Sequence, residues 1–184
     1  MIAYIVCEGS AELRLLQRIL PRELLKDIEI VAAGGLFAIK SLARSLVVRR
    51  QVPVAIIFNT NSVDPDLIQE RISSIEEIVK SVSIGTPVKV IPAVPAIEII
   101  FFEDIGLLSW LLKYGPSQTQ ELMNLAKSQP DKAVRKFRNT AQRYDENNEL
   151  FNQLTDDDLE VIRQVPFIKE TIYFLQSVKE TANV

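Results

Sequence analysis

Ala3-Tyr4-Ile5-Val6-Cys7-Glu8-Gly9-Ser10-Ala11-Glu12 is the stretch whose reading decides the fold. An apolar run of strand length stops at a carboxylate, a glycine and a small hydroxyl residue, and an amphipathic run begins near Leu13. This predicts a strand-to-helix turn with an acid at its mouth. In an open α/β sheet, ligands bind in the crevice outside the carboxyl ends of the strands, which makes Glu8 a candidate for chemistry.

Working outward, Leu13, Leu16, Leu20 and Leu24 mark one helical face, with Arg14, Arg18 and Arg22 on another, and Pro21 is expected to break or kink that helix. Ile28 to Ala33 reads as a second strand ending in Gly34-Gly35, where the chain can turn tightly or approach a ligand. Ile39, Leu42, Ala43, Leu46 and Val47 follow at helical spacing. Pro53 opens a third strand, Val54-Ala55-Ile56-Ile57-Phe58, apolar enough to be buried on both faces, and Asn59-Thr60-Asn61 ends it. Asp64-Pro65-Asp66 has the cap, proline and first-turn acid of a helix start. Val88 to Ile91 reads as a fourth strand, with Pro92 and Pro95 forcing an extended exit before a short helix around Ile97, Ile100 and Phe101.

Alternating strands and helices predict an α/β fold, a mainly parallel four-stranded sheet flanked by helices, over residues 1–104. Residues 105–184 read as an all-helical C-terminal extension packed on it, since their apolar faces need a partner and no Gly/Ser-rich linker intervenes. Within it, Ser117-x-x-Gln120 reads as a capping box. Val134, Phe137, Ala141 and Tyr144 form one helical face, and Ile168, Ile172 and Leu175 form another after Pro166.

The 184 residues contain no histidine, which excludes Ser-His-Asp and Cys-His mechanisms and His-ligated zinc. Catalysis would rest on carboxylates, amides, Lys or Arg, with or without a hard cation. The single cysteine, Cys7, forms no internal disulfide and reads as a buried structural thiol. A formal charge of -3 gives no global attraction to nucleic acid. No long apolar span or secretory signal is visible, so a cytoplasmic protein without membrane association is expected.

A strand ending in Glu8-Gly9, a second unit ending in Gly34-Gly35 and a third strand ending in Asn59-Thr60-Asn61 together resemble the Toprim domain of topoisomerases, primases and OLD-family nucleases. The resemblance covers roughly residues 1–104. It is nearest the OLD-like branch, where a second glutamate follows the Glu-Gly turn as Glu12 does here. Pro92-Ala93-Val94-Pro95-Ala96-Ile97-Glu98 also resembles the proline-then-glutamate motif of small stand-alone Toprim-like proteins. The resemblance implies a Rossmann-like fold, nucleic-acid processing, a catalytic glutamate at Glu8 and a Mg²⁺ or Mn²⁺ ion held by an Asp-x-Asp pair. This sequence has Asn59 and Asn61 at that pair, which removes two negative charges from the expected metal site; Glu12 and Glu98 are the available compensators, with Asp64 a more distant one.

Each candidate has a plainer structural reading. Glu12 suits a helix's first turn. Asp64 suits an N-cap, and Asp156-Asp157-Asp158 after Thr155 suits helix capping. Asn59 and Asn61 suit a βα loop. Gly9, Gly34 and Gly35 could approach a phosphate or simply turn the chain. Glu98 is the one polar position in an apolar run and would need a partner if buried. Lys132, Arg135 and Lys136, with Arg138 and Arg143, make a basic helix that could track nucleic-acid phosphates, or a solvated face balanced by Asp145, Glu146 and Glu149. The expected function is a Toprim-like, nucleic-acid-processing protein, a metal-dependent phosphodiester hydrolase with an altered or inactive site. Two alternatives stand beside it: a non-catalytic binding or regulatory module with a protein partner, and a nucleotide or small-phosphate binder.

Overall fold

The computed structural model describes residues 1–143 and 149–182. The expected positions Tyr144, Asp145 and Glu146 lie outside the described residues. Four strands, β1 (Ala3–Cys7), β2 (Ile28–Ala32), β3 (Val54–Asn59) and β4 (Val88–Ala93), form one all-parallel sheet in the order β2-β1-β3-β4. β3 takes in Asn59, which sequence reading places in a loop. β4 runs through Pro92 to Ala93, two residues further than expected. Proline is tolerated there because β4 lies at the sheet's edge, where one side of the strand needs no ladder donor.

The chain leaves β1 into α1 (Ser10–Ile19) on one face of the sheet and leaves β3 into α4 (Pro65–Lys80) on the other. Leu15, Leu16 and Ile19 of α1 pack with Ile5, Cys7, Ala55 and Ile57. Ile75 and Val79 of α4, with Ile39, Ala43 and Val47 of α3 (Leu36–Arg50), pack with Tyr4, Val6, Ile56 and Phe58. The alternation of neighbours along β1 and β3 between the two cores is the period-2 consequence of a pleated strand. β1 and β3 are adjacent and send their helices to opposite faces. Their carboxyl ends, Glu8 and Asn59, therefore flank the crevice that such a reversal opens.

Pro21 breaks the first helix as expected: α1 stops at Ile19 and a single turn, α2 (Arg22–Leu25), follows. Asp64 caps α4 by accepting from Asp66 N at 2.9 Å, with Pro65 at the first helical position. Beyond β4, Ile97–Phe102 forms a 3-10 helix, then α5 (Ile105–Leu112), α6 (Pro116–Ser128), α7 (Pro130–Ala141), α8 (Asp156–Ile162) and α9 (Pro166–Ala182) follow. The capping expectation at Ser117 is corrected by two residues. α6 starts at Pro116, whose missing N–H suits the first helical position, and Gln118 Oε1 accepts from Gly115 N at 3.3 Å. Thr155 and Asp158 bond reciprocally at the start of α8, which gives one of the three adjacent acids a capping role.

Leu108, Leu111, Leu122, Val134, Phe137, Ile168 and Leu175 from these later helices are in one core with Ala3, Ile5, Ile57 and Ile91 of the sheet. The helices after residue 104 thus cover the sheet face that α1 leaves open. Among the described residues, no helix is long and apolar enough to cross a membrane.

Candidate functional site: a carboxylate cleft closed by an arginine

A cleft of about 470 Å³ opens at the carboxyl ends of β1 and β3. Glu8, Glu12, Asn59, Asn61 and Glu98 line it on one side, and Phe137 and Arg138 of α7 with Gln142 just after it on the other. Five of the candidates named from the sequence, Glu8, Glu12, Asn59, Asn61 and Glu98, thus lie around one cleft. Glu8 Oε1 accepts from Asn59 N at 2.6 Å, which ties the end of β1 to the end of β3.

Asn59 is 4% exposed, and its side chain is engaged at both ends. Its Oδ1 accepts from Ile97 N at 2.8 Å, and its Nδ2 donates to Glu12 Oε1 at 3.1 Å. A carboxylate could replace the first bond but not the second, because it has no proton to offer Glu12. The amide is thus the group that fits this position between a backbone donor and a carboxylate acceptor. Asn61 is exposed and takes the left-handed conformation, φ 50, with its N bonded to Pro95 O at 2.8 Å. Thr60 between them is fully buried; its N donates to Ala93 O, and its hydroxyl donates to Ser62 O at 2.7 Å. These bonds pin the loop after β3 to the loop after β4.

Glu98 has the partner its apolar surroundings require. Arg138 grips it with both arms, Nε to Oε1 at 2.5 Å and an outer nitrogen to Oε2 at 2.9 Å. The pair is unevenly buried, at 15% side-chain exposure for Glu98 and 38% for Arg138. Arg138 was visible in the sequence only as one member of a basic helix. The signal that could have singled it out is position: Val134, Phe137 and Ala141 face the core, and Arg138 borders that stripe.

The electrostatics follow from these neighbours. Burial pushes the Glu8 carboxyl above its ordinary range; Asn59 N–H and Arg138 pull it down, while Glu12 and Glu98 push it up. Arg138 is raised, first by its bond to Glu98, with Glu12 and Glu8 adding to the effect. Cys7 is pushed up to about 12 by burial and then by Glu12 and Glu8, which fits an inert thiol.

The glycines have structural duties. Gly34 and Gly35 have φ of 88 and 131, and both backbone N–H groups donate to Glu8 O at 2.9 Å. These bonds fasten the end of β2 to the end of β1, in keeping with the tight-turn reading of the pair that stood beside a phosphate contact. At Gly9, a Cβ would come within 3.1 Å of Glu12 Oε2, so glycine there leaves room for the Glu12 carboxylate. Asp64 faces solvent as a helix cap. Lys132, Arg135 and Lys136 are exposed on α7, the helix that borders the cleft through Phe137 and Arg138.

The donor set does not fit a hard divalent cation. Such an ion needs several anionic or carbonyl oxygens turned toward one point. Here the Asn59 oxygen faces Ile97 N, Glu98 faces Arg138, and one Glu8 oxygen faces Asn59 N. No group of three or more acidic, histidine or cysteine side chains is arranged to hold a metal among the described residues. Arg138 places a positive charge against the Glu98 carboxylate, and Arg14 also lines the cleft.

No protein-family model matches the sequence, and no curated protein matches it. Solved structures do. The C-terminal region of the Burkholderia pseudomallei OLD protein superposes with a TM-score of 0.59 at 16% identity, over 96% of this chain and 98% of that one. The C-terminal region of the Xanthomonas campestris pv. campestris OLD protein gives 0.55 at 13% identity, over 99% and 98%. With its parallel sheet in the order β2-β1-β3-β4 and its helices on both faces, the chain has an OLD-like Toprim fold.

Proposed function

We propose that this chain is a Toprim-like protein of the nucleic-acid-processing class whose cleft has exchanged a divalent cation for a fixed internal cation, Arg138. On this reading it binds Mg²⁺ or Mn²⁺ weakly and does not cleave phosphodiesters. The observation that carries the reading is the Asn59 side chain, engaged through its oxygen to Ile97 N and through its nitrogen to Glu12. The fold supports the class of function, and the residues support the departure from it. Glu8 keeps the acid that the resemblance assigns to catalysis, and Glu12 and Glu98 are the acids available to compensate for the missing Asp-x-Asp pair.

The runner-up, which the resemblance implies, is a metal-dependent hydrolase in which Glu8 acts as acid or base; Glu12, Asn59, Asn61 and Glu98 would hold Mg²⁺ or Mn²⁺ only once Asn59 and Glu98 gave up their present bonds. The raised pKa of Glu8 favours it, because a proton-transfer group works best when its pKa lies nearer the working pH.

Calorimetric titration with Mn²⁺ beside a nuclease assay separates the two, using wild type, the Asn59→Asp/Asn61→Asp double variant and Glu8→Ala. The double variant places carboxylates opposite Glu12, where only a cation relieves the repulsion, so it should gain Mn²⁺ affinity over a weakly binding wild type. Metal-dependent cleavage by the wild type that is lost in Glu8→Ala would overturn the non-catalytic reading.

A further inference from the structure

Toward the C-terminal end of α1, three arginines meet around a second cavity of about 460 Å³. Arg18 from the end of α1, Arg22 from α2 and Arg163 after α8 line it, with Glu23 and Asp156 as its acids. Two of the three guanidinium groups are held in place by backbone carbonyls. Arg18 donates to Leu154 O, and Arg163 Nε donates to Ile19 O at 2.7 Å. Each such bond uses one of five donors, which leaves most of the fork available.

None of these arginines is in an ion pair with Glu23, Asp156 or another acid among the described residues. Arginine forks that are positioned by neutral carbonyls keep their full charge for a ligand. They suit the planar, bidentate recognition of a phosphate. The three converge on one cavity.

The cavity is also continuous in sequence with the cleft. Arg14, four residues before Arg18, lines the carboxylate cleft. One four-residue step along a helix advances about 6 Å, close to the step between neighbouring phosphates on an extended strand. We infer that Arg18, Arg22 and Arg163 form a phosphate-binding site at the far end of α1. Its ligand is a phosphodiester backbone or a free phosphate compound, two sources of the same chemistry. The inference rests on the nucleic-acid reading only for the first of these sources.

The test uses the full chain and two probes, a short oligothymidylate followed by fluorescence anisotropy across a salt series, and inorganic pyrophosphate followed by thermal shift. Arg22→Glu is the clean variant, because Arg22 is exposed and anchors nothing. Arg163→Gln is the second, checked for folding by circular dichroism. Arg50→Glu, the same charge change at the end of α3, is the control.

For a backbone ligand, Arg22→Glu should weaken oligothymidylate binding at least about tenfold, and Arg163→Gln should flatten the salt slope by about 0.7. Arg50→Glu should leave both unchanged. Stabilisation by pyrophosphate alone, abolished in Arg22→Glu, assigns the site to free phosphates and counts against the nucleic-acid reading. Binding of neither probe, or equal loss in Arg50→Glu, overturns the inference. The metal titration of the cleft is indifferent to these variants, so failure of one reading is not failure of the other.

Discussion

Replacing Arg138 by methionine keeps most of its apolar stem against α7's neighbours and removes the charge that grips Glu98. The wild-type contact is bidentate, yet Arg138 is more than a third exposed while Glu98 is largely covered. Its worth therefore falls between that of a solvent-screened surface pair and the 3–5 kcal/mol lost on breaking a buried one; a figure of about 2 kcal/mol is reasonable. For a chain of this length that corresponds to a fall in Tm of about 4–8 °C. Much of the loss would come from Glu98, left without a partner beside Glu8 and Glu12, and not from the removed contact itself. Glu98→Gln in the Arg138→Met background should then recover most of the stability. A double-mutant cycle by urea unfolding would report a coupling of about 1–2 kcal/mol. Strictly additive single-variant effects, or a Tm shift under 1 °C, would refute the role given to Arg138 as the cleft's internal cation. The same variant frees the Glu98 carboxylate, so it should bind Mn²⁺ more tightly than wild type. If Arg138 instead opposes a bound metal in no way, that affinity will not change.

Two further outcomes follow from the same geometry. Glu8 has a raised pKa in the folded chain, so its ionised form costs stability above that pKa and the cost disappears as pH falls toward its ordinary value of 4.5. Glu8→Gln keeps an oxygen for Asn59 N and should be more stable than wild type at neutral pH. The difference should shrink to nothing in acid, as thermal melts of both proteins across that window will show; an advantage that grows in acid would contradict the sign. Phe101 is fully buried and stacks on Phe137 at 5.1 Å and Phe151 at 5.2 Å, both of which line the cleft. Phe101→Ala should cost about 3–5 kcal/mol by urea unfolding.

The βα units were legible because their signals are local. An apolar run that ends in an acid or a glycine, a cap followed by a proline, and leucines at helical spacing each act over a few residues. The strand alternation of β1 and β3 also carried the two-faced core, since a period of two divides their side chains between opposite layers. Boundaries failed where tertiary context decided them. The fourth strand was read as ending at Ile91, before Pro92, but at the sheet's edge where β4 lies a proline can stay in the strand.

The site was half legible for a related reason. Chain order and the sheet rule placed Glu8 and Asn59 at one crevice, and loss of charge at Asn59 was visible from residue type alone. What replaces that charge is nonlocal: Arg138 reaches Glu98 across 40 positions in sequence. The sequence could state the need, a carboxylate isolated in Ile97-Glu98-Ile99-Ile100, but not which of several basic residues meets it. That asymmetry bears on how the cleft is read. An Asn59 that had merely lost its charge would leave its amide idle and the acids around it unbalanced. Instead the amide donates to Glu12, accepts from Ile97 and sits beside an acid already neutralised by an arginine. These bonds agree with one another, which is what the proposed reading of a cleft organised around an internal cation requires.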